Sequence, residues 1–206
     1  MLIPLQKLVE KYKLNISGVL HVGAHLMEEK EVYDELGINL QVWIEADPET
    51  FQKILPLQTE TCKVLNYVIS EEVEKEVIFH RTNNRQSSSI LNLKKHKQYH
   101  PTVFTEFEIP LKTETLRHLI EDKKIPFSQI NFINLDIQGV ELQALKGLGY
   151  FLSKIDYIYT EVNTGEVYEG NSLLSDLDLF LEKEGFQRVE TFLTPCEWGD
   201  AFYIRI

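Results

Sequence analysis

Apolar runs of strand length recur along this chain, and most of them are separated by stretches with helical periodicity. SGVLHVGA (17–24), LQVWIEAD (40–47), CKVLNYVIS (62–70), QINFINLDIQ (129–138) and IDYIYTEVN (155–163) are short, largely apolar and bounded by turn residues. Strands that are apolar on both faces belong inside a parallel sheet covered by helices on both sides. The intervening segments supply the helices: 25–37, closed by Gly37; 48–57, with Pro48 in its first turn; 115–124; 139–152, ending near Gly147–Gly149; and 171–185, opening at Asn171 or Ser172 and stopping at Gly185. KEVIFHRT (75–82) alternates like an edge or hairpin strand, and EFEIPLKT (106–113) reads as a strand. FQRVETFL (186–193) and AFYIRI (201–206) read as a closing antiparallel pair. The expected fold is α/β, with a mostly parallel sheet of about seven strands and a C-terminal antiparallel hairpin.

A chain of 206 residues, 43% hydrophobic, is long enough to bury one core, and it contains no repeat or linker. Residues 1–206 are therefore expected to form a single domain. The opening stretch, 1–14, reads as a short amphipathic helix with Leu5, Leu8, Val9 and Tyr12 on one face, and it lacks the pattern of a secretory signal. No apolar run reaches the roughly 18–20 residues of a membrane span. Cys62 and Cys196 are far apart, with no Cys/His cluster at metal spacing. Reduced thiols, a cytoplasmic location, no metal and no membrane partner are the expectation.

The net charge of −11 opposes a general affinity for nucleic-acid backbones. Against that acidic background, His80–His100 holds five Lys/Arg, three His and no acid. Two readings stay open for this segment: a solvated loop, or a basic rim that receives an acidic or phosphorylated substrate. Residues 83–101 show no period and read as a loop with at most one short helix, or as a lid that closes over an acceptor.

In open α/β sheets ligands lie beyond the carboxyl ends of the strands. That rule selects Gly23–His25, Glu45–Asp47, Val68–Ser70 and Asp136–Gly139. Gly23 lets the backbone approach a ligand closely, and a following helix would offer free N–H groups to an anion. The G-x-G-x-x-G fingerprint is missing, because Gly23 is followed by His25 and Glu28. Dense pyrophosphate packing, and with it a nicotinamide dinucleotide oxidoreductase, is thereby disfavoured. Glu45 ends the second strand, where an acid accepts hydrogen bonds from ribose hydroxyls. A nucleoside with a carboxylate tail and no pyrophosphate satisfies both features, as S-adenosylmethionine (SAM) does.

LHVGAH (20–25), VWIEADPETF (42–51), VLNYVIS (64–70), SSSIL (87–91), IPLKTETLRHLI (109–120), INFINLDIQGVELQALKGL (130–148) and IYTEVN (158–163) occur in an order that resembles the FkbM family of SAM-dependent methyltransferases. The resemblance implies the Rossmann-like SAM-methyltransferase fold, SAM as cofactor, and methyl transfer to an oxygen of a sugar, glycan or small metabolite. By position, His21, Gly23, Ala24 and His25 would meet the methionine end. Glu45 and Ala46 would hold the ribose, Val68 and Ile69 the adenine, with Ser88 from the serine run and Asp136 at the reacting centre. Gly139 and Glu141 would shape the turn behind it. The family usually has an acid at position 21, Asn at 25 and Glu at 138, where this chain has His21, His25 and Gln138. A fold that has drifted into a non-catalytic SAM- or nucleoside-binding module is the alternative.

A hydroxyl acceptor must lose a proton, so a base contributes about 10²–10⁴-fold. Asp136, at a central strand tip, is the first candidate, Glu161 the second and His25 the third. Asp136 serves equally well to orient the cofactor, and Glu161 to satisfy buried backbone groups. His21 and His25 straddle a strand and a turn, which is not a metal-binding spacing. Tyr99, Phe104, Phe107 and Tyr168 either wall an acceptor pocket or belong to the core.

Overall fold

Near-continuous apolar strands leave one arrangement for burying both faces, and the computed structural model, which describes residues 1–206, adopts it. The chain runs through α1 (Leu5–Tyr12), β1 (Gly18–Val22), α2 (Lys30–Glu35), β2 (Leu40–Glu45), α3 (Pro48–Ile54), β3 (Cys62–Asn66), β4 (Val68–Ile69) and β5 (Glu76–Thr82). It continues through α4 (His96–Tyr99), β6 (Thr105–Glu114), α5 (Leu116–Glu121), β7 (Phe132–Leu135), α6 (Glu141–Leu148), β8 (Tyr157–Asn163), α7 (Leu174–Lys183), β9 (Phe186–Leu193) and β10 (Trp198–Arg205). A seven-stranded sheet has the order β3-β2-β1-β7-β8-β10-β9. It is parallel from β3 to β8, and β10 runs antiparallel to both β8 and β9. The expected mostly parallel sheet with an antiparallel C-terminal pair is thus present.

Every residue of β1 is buried, as a strand between two parallel neighbours requires. One face of the sheet packs Leu20, Val22, Ile133 and Leu135 against Leu119, Leu145, Leu148 and Leu177 of α5, α6 and α7. The other packs Val19, Trp43 and Phe132 against Leu5, Leu8, Tyr33 and Ile54 of α1, α2 and α3. The amphipathic N-terminal helix therefore covers the core with the apolar stripe that its sequence displays.

Four expectations are corrected. The helix read over 25–37 begins only at Lys30. Before it, His25 and Met27 sit at positive φ, and the Glu28 carboxylate accepts from Leu26 N–H at 3.2 Å and meets His25 Nδ1 at 2.6 Å. Local side-chain bonds of this kind compete with the helical ladder. The strand read over 62–70 breaks at Tyr67: Val68 and Ile69 leave the large sheet and pair with Thr113 and Glu114 of β6, in a second sheet of order β4-β6-β5. Asn66 fixes the break, its Nδ2 donating to Glu45 O at 2.7 Å and to Ala46 O at 3.2 Å. Helix α7 is capped at Leu173, whose N–H donates to the Asp176 carboxylate at 3.0 Å, while Asn171 is engaged by the preceding loop. Finally, β10 starts at Trp198, three residues earlier than the sequence pattern marks.

Candidate active site

The sheet order reverses direction between β1 and β7, and a cleft opens where their carboxyl ends part. Gly23 follows β1 at φ +92°, and a Cβ built on it would meet the Asp136 carbonyl oxygen at 1.8 Å. A glycine is therefore required by the neighbouring strand end itself. Gly23 and Ala24 donate their N–H groups to Ile44 O at 2.9 and 3.0 Å. With α2 delayed to Lys30, no helix N-terminus faces the cleft at this point. The anion-binding helix end that the sequence suggests beside His25 is absent.

Glu45 instead organises the turn. One carboxylate oxygen accepts from His25 N–H and the other from Asp47 N–H, both at 2.7 Å. Burial pushes its carboxyl up to about 7, even though both backbone donors favour the ionised form. Each oxygen keeps a lone pair for a ligand hydroxyl. Glu45 lies on the wall of a cleft beside the ends of β1 and β2. Val68, Ile69, Ile90 and Val140 form its apolar side; Ala46, Ser88, Gly23 and His25 also line it. Val68 and Ile69 reach this wall through their pairing with β6.

A wider cavity adjoins this cleft and shares Gly23, His25, Gln86, Asp136 and Gln138 with it. Asp136 is open to this space, and burial of the site as a whole raises its carboxyl to about 6. Glu161, only 7% exposed, lies across from it. The Nε2 of Gln138 donates to Asp136 and to Glu161, each at 2.7 Å, and its Oε1 accepts from the Tyr168 hydroxyl. Burial, and then repulsion from Asp136, hold the Glu161 carboxyl well above the usual range. A glutamate in place of Gln138 would bring a third carboxylate between two; the amide joins them instead. Glu161 is thus held by a side chain, not by the backbone groups its sequence context suggests.

The remaining expected residues divide. His21 lines the wider cavity, but its ring stacks on Trp43 at 4.4 Å and its Nδ1 meets the Tyr33 hydroxyl at 3.0 Å. Burial lowers its pKa to about 4, so the ring is neutral. Ala24 faces the core beneath the turn and lines neither space. Glu141 points away from the cavity, accepting the N–H groups of Ile137 and Gly139 at 3.1 Å and fixing the turn. Of the four aromatics weighed for the acceptor wall, Tyr168 alone lines it; Phe104 and Phe107 are exposed outside it. No three His, Cys, Asp or Glu side chains gather as metal ligands.

The basic segment does not form an open rim. Arg81 is paired with Asp47 and Glu49, Arg85 with Glu49 and Glu106, Lys94 with Glu166 and Lys95 with Glu197. Nor does the segment cover an acceptor space alone. Ser87, His96 and His100 line the wider cavity, whereas Ser88, Ser89 and Ile90 line the cleft. Several wall residues escaped the sequence reading. Trp198 and Asp200 precede the expected start of β10, and Tyr67 lay inside an apparently unbroken strand. The polar, non-alternating end of CKVLNY was the one available sign of that break.

The model of the methyltransferase FkbM domain matches residues 21–188, which hold the whole lining of the cleft and most of that of the wider cavity. The chain belongs to the FkbM methyltransferase family. The cofactor of this FkbM domain is SAM. A curated relative, the hexuronic acid methyltransferase AglP of Haloferax volcanii, is 29% identical over 99 residues, covering 48% of this chain and 41% of AglP. The chain thus matches about two-fifths of that relative's length. Among solved structures, Sp1610 of Streptococcus pneumoniae in complex with S-adenosyl-L-methionine aligns with TM-score 0.54 and 15% identity, covering all of this chain and 73% of that one. The magnesium protoporphyrin IX methyltransferase ChlM of Synechocystis, with bound SAM, aligns with TM-score 0.50 and 9% identity over 98% of this chain and 76% of ChlM. At these identities the likenesses establish the fold.

The residues present suit SAM. The apolar side of the cleft matches a flat base, and the open lone pairs of Glu45 match vicinal ribose hydroxyls. The carboxylates of the adjoining cavity match a cofactor with a sulfonium and an ammonium.

Proposed function

We propose that this FkbM-family protein methylates a hydroxyl oxygen of a sugar, using SAM. The observation that carries this reading is the Asp136–Gln138–Glu161 arrangement at the border shared by the cleft and the wider cavity. When bound, SAM supplies a methyl group on a positively charged sulfur, which an acceptor oxygen displaces while the C–S electron pair stays on sulfur. Glu45 and the Val68–Ile69 wall hold the nucleoside end. Asp136 takes the hydroxyl proton as the oxygen forms its new bond, and Gln138 positions the carboxylate that does so. Glu161, its carboxyl pushed upward by burial, faces the acceptor from the other side of Gln138. The sugar class is supported by the relative AglP, whose name gives a hexuronic acid as its substrate.

The test is calorimetric titration with SAM, its demethylated product and NAD, for the wild type and Glu45→Ala, followed by turnover assays on a sugar panel. SAM binding that is lost in Glu45→Ala, together with release of demethylated product on a sugar, is expected. Binding without turnover on any acceptor would mark a SAM-binding module, and binding of NAD in place of SAM would overturn the assignment of the cleft.

A further inference from the structure

Five carboxylates line the wider cavity, from Glu28, Glu29, Asp136, Glu161 and Asp200, and no Lys or Arg lines it. Its cationic complement is small. The α-amino group of Met1 is paired with Glu29 at 3.1 Å. His25 faces Glu28 at 2.6 Å. His21 and His96 are both lowered by burial to about 4, hence neutral, and His100 packs its ring 4.9 Å from that of His96. The lysines and arginines of the neighbouring segment are either paired with acids outside this space or, like Lys97, do not line it.

From this charge pattern and the polar and aromatic side chains around it we infer that the acceptor is an uncharged or amine-bearing sugar, and that the cavity excludes uronates and sugar phosphates. The inference rests on the O-methyltransferase reading and narrows its substrate class. A carboxylate accepts two vicinal hydroxyls or an ammonium with equal ease, whereas an anionic acceptor would enter a space lined by five acids with no Lys or Arg to meet it. The cofactor's own ammonium engages at most part of this set.

Two further observations on the walls point to a polyhydroxylated ring. Trp198, half-buried in the wall, offers aromatic surface on which the apolar face of a pyranose packs, and the buried Tyr168 behind it turns its hydroxyl to Gln138 and Ser87. His96, a wall residue only 6% exposed, leaves its Nδ1 without a partner while its Nε2 meets Ser87 Oγ at 3.1 Å. A neutral imidazole nitrogen meets a hydroxyl in either tautomer, whereas a phosphate is met only by the tautomer that carries the N–H there. The selectivity is therefore opposite in sign to the one that the basic sequence segment, taken by itself, suggests.

The experiment uses the full chain with SAM and four matched pyranosides that differ in one substituent: hydroxyl, amine, carboxylate or phosphate. Turnover is read as demethylated cofactor. Sugars that do not turn over are titrated calorimetrically into protein loaded with demethylated cofactor. The hydroxyl or amine sugar is expected to exceed the carboxylate and phosphate sugars by about tenfold or more in kcat/KM, or in affinity where turnover is absent. Preference for the carboxylate or phosphate sugar, or SAM binding with no sugar bound at all, would overturn the inference. Failure to bind SAM would instead overturn the function on which it rests. Glu28→Gln supplies the second arm, because it removes one charge from the wall and keeps an oxygen to accept from Leu26 N–H. It should move the neutral-to-uronate ratio toward the uronate by about tenfold. An unmoved ratio, with SAM affinity intact, would show that the carboxylate ring does not set the selectivity.

Discussion

Glu45 shows how one side chain links the turn to the ligand. Its carboxyl is raised to about 7, and the ionised form is the better acceptor for two ribose hydroxyls. SAM affinity should therefore rise as pH increases through about 7 and level off above it, by at most about tenfold per unit. Calorimetry between pH 6 and 8 checks this, and Glu45→Gln should bind more weakly with a flat profile. Asp136 titrates to about 6, so its carboxylate is available as a base near neutrality. Asp136→Asn should lower kcat by about 10²–10⁴-fold while SAM affinity changes much less. Equal loss in binding and turnover would reduce Asp136 to a cofactor contact. At this scale the sequence was informative where chemistry is carried by a strand end. Glu45, Asp136 and Glu161 all border the two spaces, because an acid closing an apolar run has few other places to go. It was uninformative where a residue's partner comes from elsewhere in the chain. Nothing in the order of residues shows that Gln138 joins two acids, or that Arg81 and Arg85 are consumed by Asp47 and Glu49.

Elements were legible through their periodicity, and their ends were not. The strands of the large sheet were marked by apolar runs, but helix α2 lost its first turn to side-chain bonds around Glu28 that no periodicity registers. The cap of α7 was misplaced for a related reason. Asn171 and Ser172 have the usual capping chemistry, yet Asn171 is already bound to Tyr168 N–H and Gly165 O, so Asp176 closes the helix start in their stead. Asp176→Ala should therefore cost about 0.3–1 kcal/mol, the scale of a carboxylate in a first helical turn. Ser172→Ala should cost less than that. Denaturant melts of the two variants decide between the caps, and the reverse ranking would restore the sequence assignment.

The whole molecule is held by the sheet, with a core on each face and the site at the point where the strand order reverses. Leu20 is fully buried in β1, between β2 and β7. Leu20→Ala should destabilise the protein by about 2–5 kcal/mol, read as a lower denaturant midpoint at unchanged slope. The architecture was legible because alternating apolar strands and helices admit few topologies. The second sheet was hidden, because β4 has two residues and looks like the tail of β3. That detour has a consequence for motion. Val68 and Ile69 line the cleft with their side chains while their backbones are laddered to Thr113 and Glu114. A ligand pressed against that wall must also steady β6 and, through it, β5. Amide hydrogen exchange along 76–82 and 105–114 should slow severalfold when SAM binds, although the ligand touches few of those residues. An exchange footprint confined to the ends of β1, β2 and β7 would mean that the small sheet opens independently of the site it helps to build.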